Sequence, residues 1–283
     1  MGAPPSSRIA RGFTLVEILV VVVILGLIMA MATLLLRSVS ATQKRSVTAT
    51  RLANIDAAII QFVMQTKRLP CPADGTQADS AGGTEIRSPG GVCTGNQKDG
   101  VVPWVTLGIG ATDATDGWDR RITYRVDPNL VRDLAMDISW CDPAGTGAAG
   151  PGGICNTTCT AAALANCTPP VTYVTSKGLT VRNLAATTLM NPAGTPPTGA
   201  AYVLISHGES GGGAYLNTGV LATSLVGDGT EEQKNYANLT LGAYYVDDAA
   251  TDVGGAAHFD DIVVRPSVLA VANKAGLGPR THP

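Results

Sequence analysis

Charge is scarce in this chain of 283 residues: Asp, Glu, Lys and Arg together make up 15%, and the formal net charge is −2. Lys and Arg form no concentrated patch, which argues against a nucleic-acid surface. No internal repeat, phosphate-binding glycine loop or catalytically spaced carboxylate pair stands out. In place of charge there are 33 Gly and 17 Pro. That composition favours a turn-rich β domain over a helical bundle.

Proline and glycine are themselves missing from one long stretch. No Pro lies between Phe13 and Lys67, and no Gly between Arg37 and Lys67. Ile18 to Leu36 reads ILVVVVILGLIMAMATLLL, without a single charge. With Phe13 to Val16 added, a helix over 13–36 would be about 36 Å long, enough to cross a bilayer core of roughly 30 Å. Gly26 is its one weak point, costing up to about 1 kcal/mol against Ala. Beyond it the chain turns polar without a turn signal. Leu52, Ile55, Ile59, Phe62, Val63 and Thr66 then recur at helical spacing, which predicts an amphipathic continuation over 37–69 that packs on a sheet and ends at Pro70. Residues 70–283 form the expected β-rich domain.

Glu17 lies inside the apolar run, where a carboxylate is expensive and needs neutralising. Before it stand Arg8, Arg11 and Gly12, then Phe13-Thr-Leu-Val-Glu17. This stretch resembles the leader and N-terminus of type IV pilins and pseudopilins. The resemblance implies a leader, residues 1–12, cut by a prepilin peptidase between Gly12 and Phe13, with Phe13 then N-methylated. It implies that Glu17 pairs with the N-terminus of a neighbouring subunit during assembly. It implies an α+β, pilin-like fold, a long N-terminal helix packed on an antiparallel sheet. The function implied is structural, not enzymatic. A single-pass subunit waits in the inner membrane, in contact with lipid and the assembly platform. It then joins other pilin or pseudopilin subunits in a periplasmic or cell-surface filament. The size, insertions and cysteines suggest a minor subunit.

All six cysteines, Cys71, Cys93, Cys141, Cys155, Cys159 and Cys167, follow the apolar segment. An even set on one side of such a segment reads as disulfides in an oxidising compartment. Proximity favours Cys71–Cys93, with the other four closing the segment around 141–167. Zinc is the alternative, but Cys155-x3-Cys159 is only half a ligand set.

Strand signals stand at Val101-Val102 with Trp104-Val105, at Ile122–Val126, at Ala201–Ile205 and at Ile262–Val264. In the second, Ile122, Tyr124 and Val126 alternate with Thr123 and Arg125, as in a strand with one buried face. Residues 142–170 and 191–200 read as insertions. Asp116-Gly-Trp-Asp-Arg-Arg-Ile-Thr-Tyr124 resembles the D-x-W-G-x-P-x-x-Y stretch of the major pseudopilin of type II secretion, with Asp119 where Gly is usual. Ile205-Ser-His-Gly-Glu-Ser-Gly-Gly212 resembles its glycine loop, and Asp260-Asp261-Ile262 its A-D-I ending, although more than forty residues separate Gly213 from Phe259. That resemblance implies calcium at Asp261 and Asp260, with Glu209 and Ser210 where the loop's Asp is expected. Asp247, Asp248 and Asp252 are further oxygen donors, and a solvated acidic loop is the bland alternative.

Gly208-Glu-Ser-Gly-Gly212 also fits G-x-S-x-G after a strand. The rival reading is therefore a membrane-anchored periplasmic hydrolase using Ser210, with His258 or His282 as base. Against it, Gly213–Gly219 starts a helix poorly, and a flexible glycine loop suffices. An anchored surface-binding module is a third reading. Trp104, Trp118 and Trp140 read as core residues, and His207 as a hydrogen-bonded turn residue.

Overall fold

The computed structural model describes residues 15–88, 91–94, 99–138, 173–224, 227–237, 242–251 and 253–278, without the side chains of residues 30–38. Its first element is one uninterrupted helix, α1, Leu15–Thr66. Contacts divide the chain into two units, Met1–Gln43 and Lys44–Pro283.

In the second unit α1 buries the expected stripe. Leu52, Ile55, Ile59 and Val63 are sealed, joined by Thr48 and Ile60, while Phe62 and Thr66 are half-buried. Each fully buried aliphatic side chain contributes about 1.5–3 kcal/mol. The helix stops earlier than Pro70: Lys67 takes a left-handed φ of 57° and donates its N–H to Val63 O at 2.7 Å. That turn, not the proline, ends it.

The main sheet has five strands in the order β1 (Ala73–Asp74), β2 (Gly100–Val101), β3 (Thr123–Val126), β6 (Tyr202–Ser206) and β8 (Ile262–Val264), each neighbour antiparallel. A second sheet holds β5 (Thr188–Met190), β4 (Val181–Arg182) and β7 (Tyr245–Val246), with β4 parallel to β7. Strand β6 separates two cores by its alternation. Tyr202 and Leu204 join the α1 stripe, whereas Val203 and Ile205 pack with Val181, Met190 and Tyr245.

Two sequence expectations fail here. Thr123 and Arg125 do not face solvent: all four β3 residues are buried. Arg125 reaches the carbonyls of Tyr236 and Ala237, and Thr123 meets His207. Trp104-Val105 is not strand but the start of a short helix, α2, Trp104–Leu107, which follows Pro103 and ends at Gly108 with φ 70°. The last helix, α3, Val268–Lys274, is capped by Ser267, whose Oγ accepts from Ala270 N–H at 3.2 Å.

Candidate assembly helix and acidic cluster

Gly12 and Phe13 lie outside the described residues. Glu17 stands in the first turn of α1, and every side chain from Leu15 to Met29 is exposed, Leu15 by 82% and Met29 by 69%. Among the described residues no helix is long and apolar enough to cross a membrane. The described apolar side chains end at Met29, so they span about 22 Å at 1.5 Å per residue, short of a roughly 30 Å bilayer core. The rest of the run, to Leu36, lies among side chains outside the description.

The Asp116–Tyr124 stretch fastens α1 to the sheet. Arg51 donates to Thr115 Oγ1 at 3.0 Å and to Asp116 O at 2.7 Å, and Gly117 N–H donates to Thr48 Oγ1 at 2.8 Å. A Cβ on Gly117 would come within 2.3 Å of Lys44 O. Asp116 is buried and accepts from Trp118 N–H, Arg120 N–H and Ser206 Oγ; burial pushes its carboxyl up despite those donors. Asp119, in the place of the usual Gly, has φ 61°. Asp tolerates the left-handed region better than most residues, so this turn forms without a glycine. Tyr124 closes the stretch, its hydroxyl donating to Pro70 O at 3.0 Å.

The glycine loop and the Asp260-Asp261 pair meet because Ser206 on β6 pairs with Ile262 on β8. The long spacing between them holds β7 and a 3-10 turn, Glu232–Asn235. The loop is not a loose glycine turn. Ser210 is 1% exposed, its N–H donates to Asp260 Oδ2 at 2.7 Å and its hydroxyl to Asp260 Oδ1 at 2.9 Å. Arg120 holds the Gly208 carbonyl at 2.6 Å. Among the described residues no imidazole hydrogen-bonds to Ser210 Oγ, whose other partner is His207 O. His207 Nε2 faces Thr123 Oγ1 at 2.8 Å, and His258 Nδ1 faces Glu232 at 2.9 Å. His282 lies outside the described residues. Among the described residues Ser210 thus has a carboxylate, not an imidazole, as its side-chain partner.

Glu232, which no spacing in the sequence singles out, is the centre of the acidic cluster. It opens a 3-10 turn, Glu232–Asn235, 28 residues before Asp260. Its Oε1 accepts Asp260 N–H at 2.9 Å, and its Oε2 accepts Gly229 N–H at 3.0 Å and faces His258 Nδ1. Glu232, Asp260 and Asp261 each bring an oxygen within 4.8 Å of the others, and Asp228, Glu232 and His258 likewise bring two carboxylate oxygens and a ring nitrogen together. Burial first, then neighbouring acids, push Glu232 up to about 7. Burial likewise pushes Asp261 up against the pull of His207 and Asn235. For His258 burial acts downward, but the hydrogen bond and charge of Glu232 outweigh it and the imidazole is raised.

Calcium binds about 6–8 oxygens. Asp260, Asp261 and Glu232 fit part of such a set: Asp261 Oδ1 is buried with no hydrogen-bond partner, 3.6 Å from His207 Nδ1. The other acids are elsewhere. Asp247 pairs with Arg265 at 2.6 Å, Asp248 accepts Leu184 N–H at 3.0 Å, and Asp252 lies outside the described residues.

Cys71 and Cys93 form the expected disulfide, Cα atoms 5.4 Å apart. Cys141, Cys155, Cys159 and Cys167 lie outside the described residues, as does Trp140. Trp104 is core and Trp118 half-buried. A cavity beside the disulfide, lined by Pro72, Asp74, Thr76 and Asp99, measures about 170 Å³; small-molecule clefts run to roughly 300–1,000 Å³.

No curated protein and no solved structure matches the chain. Residues 7–33 match the family described as the prokaryotic N-terminal methylation motif. The chain thus carries the prepilin-type cleavage signal of type IV pilins and pseudopilins, within which Gly12, Phe13 and Glu17 all fall.

Proposed function

We propose that this protein is a structural subunit, a minor pilin or pseudopilin, of a type IV pilus or a type II secretion-like filament. The observation that carries the reading is a prepilin-type signal running into a helix whose Leu15–Met29 side chains are exposed and apolar around one acid, Glu17. Exposed apolar surface on that scale needs lipid or other helices to cover it. The apolar run holds the precursor in the inner membrane. After peptidase cleavage at Gly12 the same helix enters the filament core, where Glu17 meets a neighbour's amino terminus. A buried opposite-charge pair of that kind specifies axial register. The insertions, the length and the disulfide support a minor role over the bulk repeat.

Calcium is part of this proposal. Held by Asp260, Asp261 and Glu232, it would fix the glycine loop to β8 and stiffen the domain that faces outward. Asp261→Asn should abolish a calcium-dependent rise in melting temperature.

Glu17→Ala tests the assembly role. Membrane levels, cleavage and disulfide formation should stay as in wild type, while co-purification with sheared filaments falls sharply. Undiminished incorporation at equal membrane level would contradict it.

A further inference from the structure

The carboxylates at the β8 entrance leave His258 and Asp228 unexplained. Asp228 stands before the Glu232–Asn235 turn, Glu232 opens it, and His258 ends the short Gly255–Ala257 turn. We propose that Asp228, Glu232 and His258 form a site for a divalent transition-metal ion of the zinc class, distinct from the all-oxygen position at Asp260 and Asp261 and joined to it through Glu232.

Geometry comes first. One ligand atom of each residue lies within 4.8 Å of the other two. His258 Nδ1 and Glu232 Oε2 are 2.9 Å apart. Two ligands each about 2.0–2.1 Å from one ion in a tetrahedral site stand roughly 3.3 Å apart. The two atoms now close on each other as a hydrogen bond, and a separation of about 0.4 Å more would give them the spacing of a tetrahedral ion.

Two glycines make the convergence possible. A Cβ on Gly212 would fall 1.7 Å from Asp228 Oδ2, and one on Gly229 would fall 2.1 Å from His258 O. Asp228 is also oriented, its oxygens accepting from the hydroxyls of Ser224 and Tyr236. Such outer hydrogen bonds aim a carboxylate while leaving it lone pairs for a metal.

Charge supplies an independent argument. Asp228, Glu232, Asp260 and Asp261 crowd together, and among the described residues no Lys or Arg pairs with any of them. Among the described residues the ring nitrogens that face them are those of His207, 3.6 Å from Asp261, and His258, 2.9 Å from Glu232. Asp261 Oδ1, one of the buried oxygens, has no hydrogen-bond donor at all. Buried carboxylates in that state need protons or a cation. Imidazole among the ligands selects the borderline metals over calcium or magnesium, and half-buried Asp228 marks the open side where water completes the coordination.

The experiment uses the full, untagged, oxidised chain in detergent, with zinc ion alone as probe in competition with a chromophoric chelator. Wild type should bind one zinc per chain at this site. His258→Gln should bind it about tenfold more weakly or worse, since loss of even an orienting partner costs about 10–100-fold. Asp261→Asn should keep its zinc. Because His258→Gln also alters the hydrogen bond to Glu232, zinc-dependent melting of Asp228→Asn is read in parallel: zinc should raise the melting temperature of wild type and not of this variant. No saturable binding, equal binding by wild type and His258→Gln, or equal loss in Asp261→Asn would each overturn the proposal. Filament incorporation of the same variants is read separately, so failure here leaves the assembly reading standing or falling on its own.

Discussion

Ser210 meets Asp260 twice, backbone N–H on Oδ2 at 2.7 Å and hydroxyl on Oδ1 at 2.9 Å, across fifty residues of chain. The contact joins the loop after β6 to the residue pair before β8, and it makes Ser210 a structural residue. Ser210→Ala removes one of the two bonds to a buried carboxylate while leaving the other. The expected loss of stability is about 1–3 kcal/mol, read by denaturant melting. Asp260→Ala should lose more, because it leaves both donors of Ser210 without their acceptor. Melting of Ser210→Ala indistinguishable from wild type would remove the contact from this account.

Asp119 occupies a left-handed turn at φ 61°. Asp119→Gly should leave stability unchanged or raise it slightly, since glycine enters that region without steric penalty. Asp119→Val should destabilise by roughly 1–2 kcal/mol, because a β-branched side chain is poorly tolerated there. Equal melting temperatures for the two variants would contradict the turn.

The acid cluster sets a pH dependence. Glu232 and Asp261 are raised by burial and His258 by Glu232. The folded chain therefore holds protons that the unfolded chain has released. Stability should fall as pH rises from the ordinary carboxylate range, through about 7 for Glu232, and past the ordinary histidine value of 6.5. Glu85 works the other way. Burial opposes its ionisation, but Arg68 and the Cys71 N–H outweigh it and lower its pKa, so its contribution is lost as pH falls below about 4.5. Thermal melting across pH should thus peak on the mildly acidic side, and Glu232→Gln should flatten the alkaline limb. A wild-type optimum at pH 8 or above would contradict the sign.

The helix was the most legible element: an apolar run and then an apolar stripe at helical spacing follow each other with no Pro from residue 15 to residue 66. The strand Ile262–Val264 was read to the residue. The sheet β5–β4–β7 was not: strands of two or three residues are too short to show alternation. Arg125 misled because its charge suggested solvent, whereas it is buried and binds the backbone carbonyls of Tyr236 and Ala237, a tertiary contact that the sequence does not announce. Asp260 and Asp261 were visible through their resemblance, with Ile262, to an A-D-I ending. Glu232 was not, since its tie to them is tertiary and crosses 28 residues that carry no motif.

The central claim is that this chain is processed and assembled as a pilin-type subunit, and the state of its N-terminus tests that most directly. Protein extracted from membranes and from sheared filaments should be sequenced from its N-terminus and its intact mass measured. The account predicts a mature chain beginning at Phe13, heavier by one methyl group, from which residues 1–12 are gone. A mature chain that begins at Met1, or beyond Leu36 with the apolar helix removed, would contradict it.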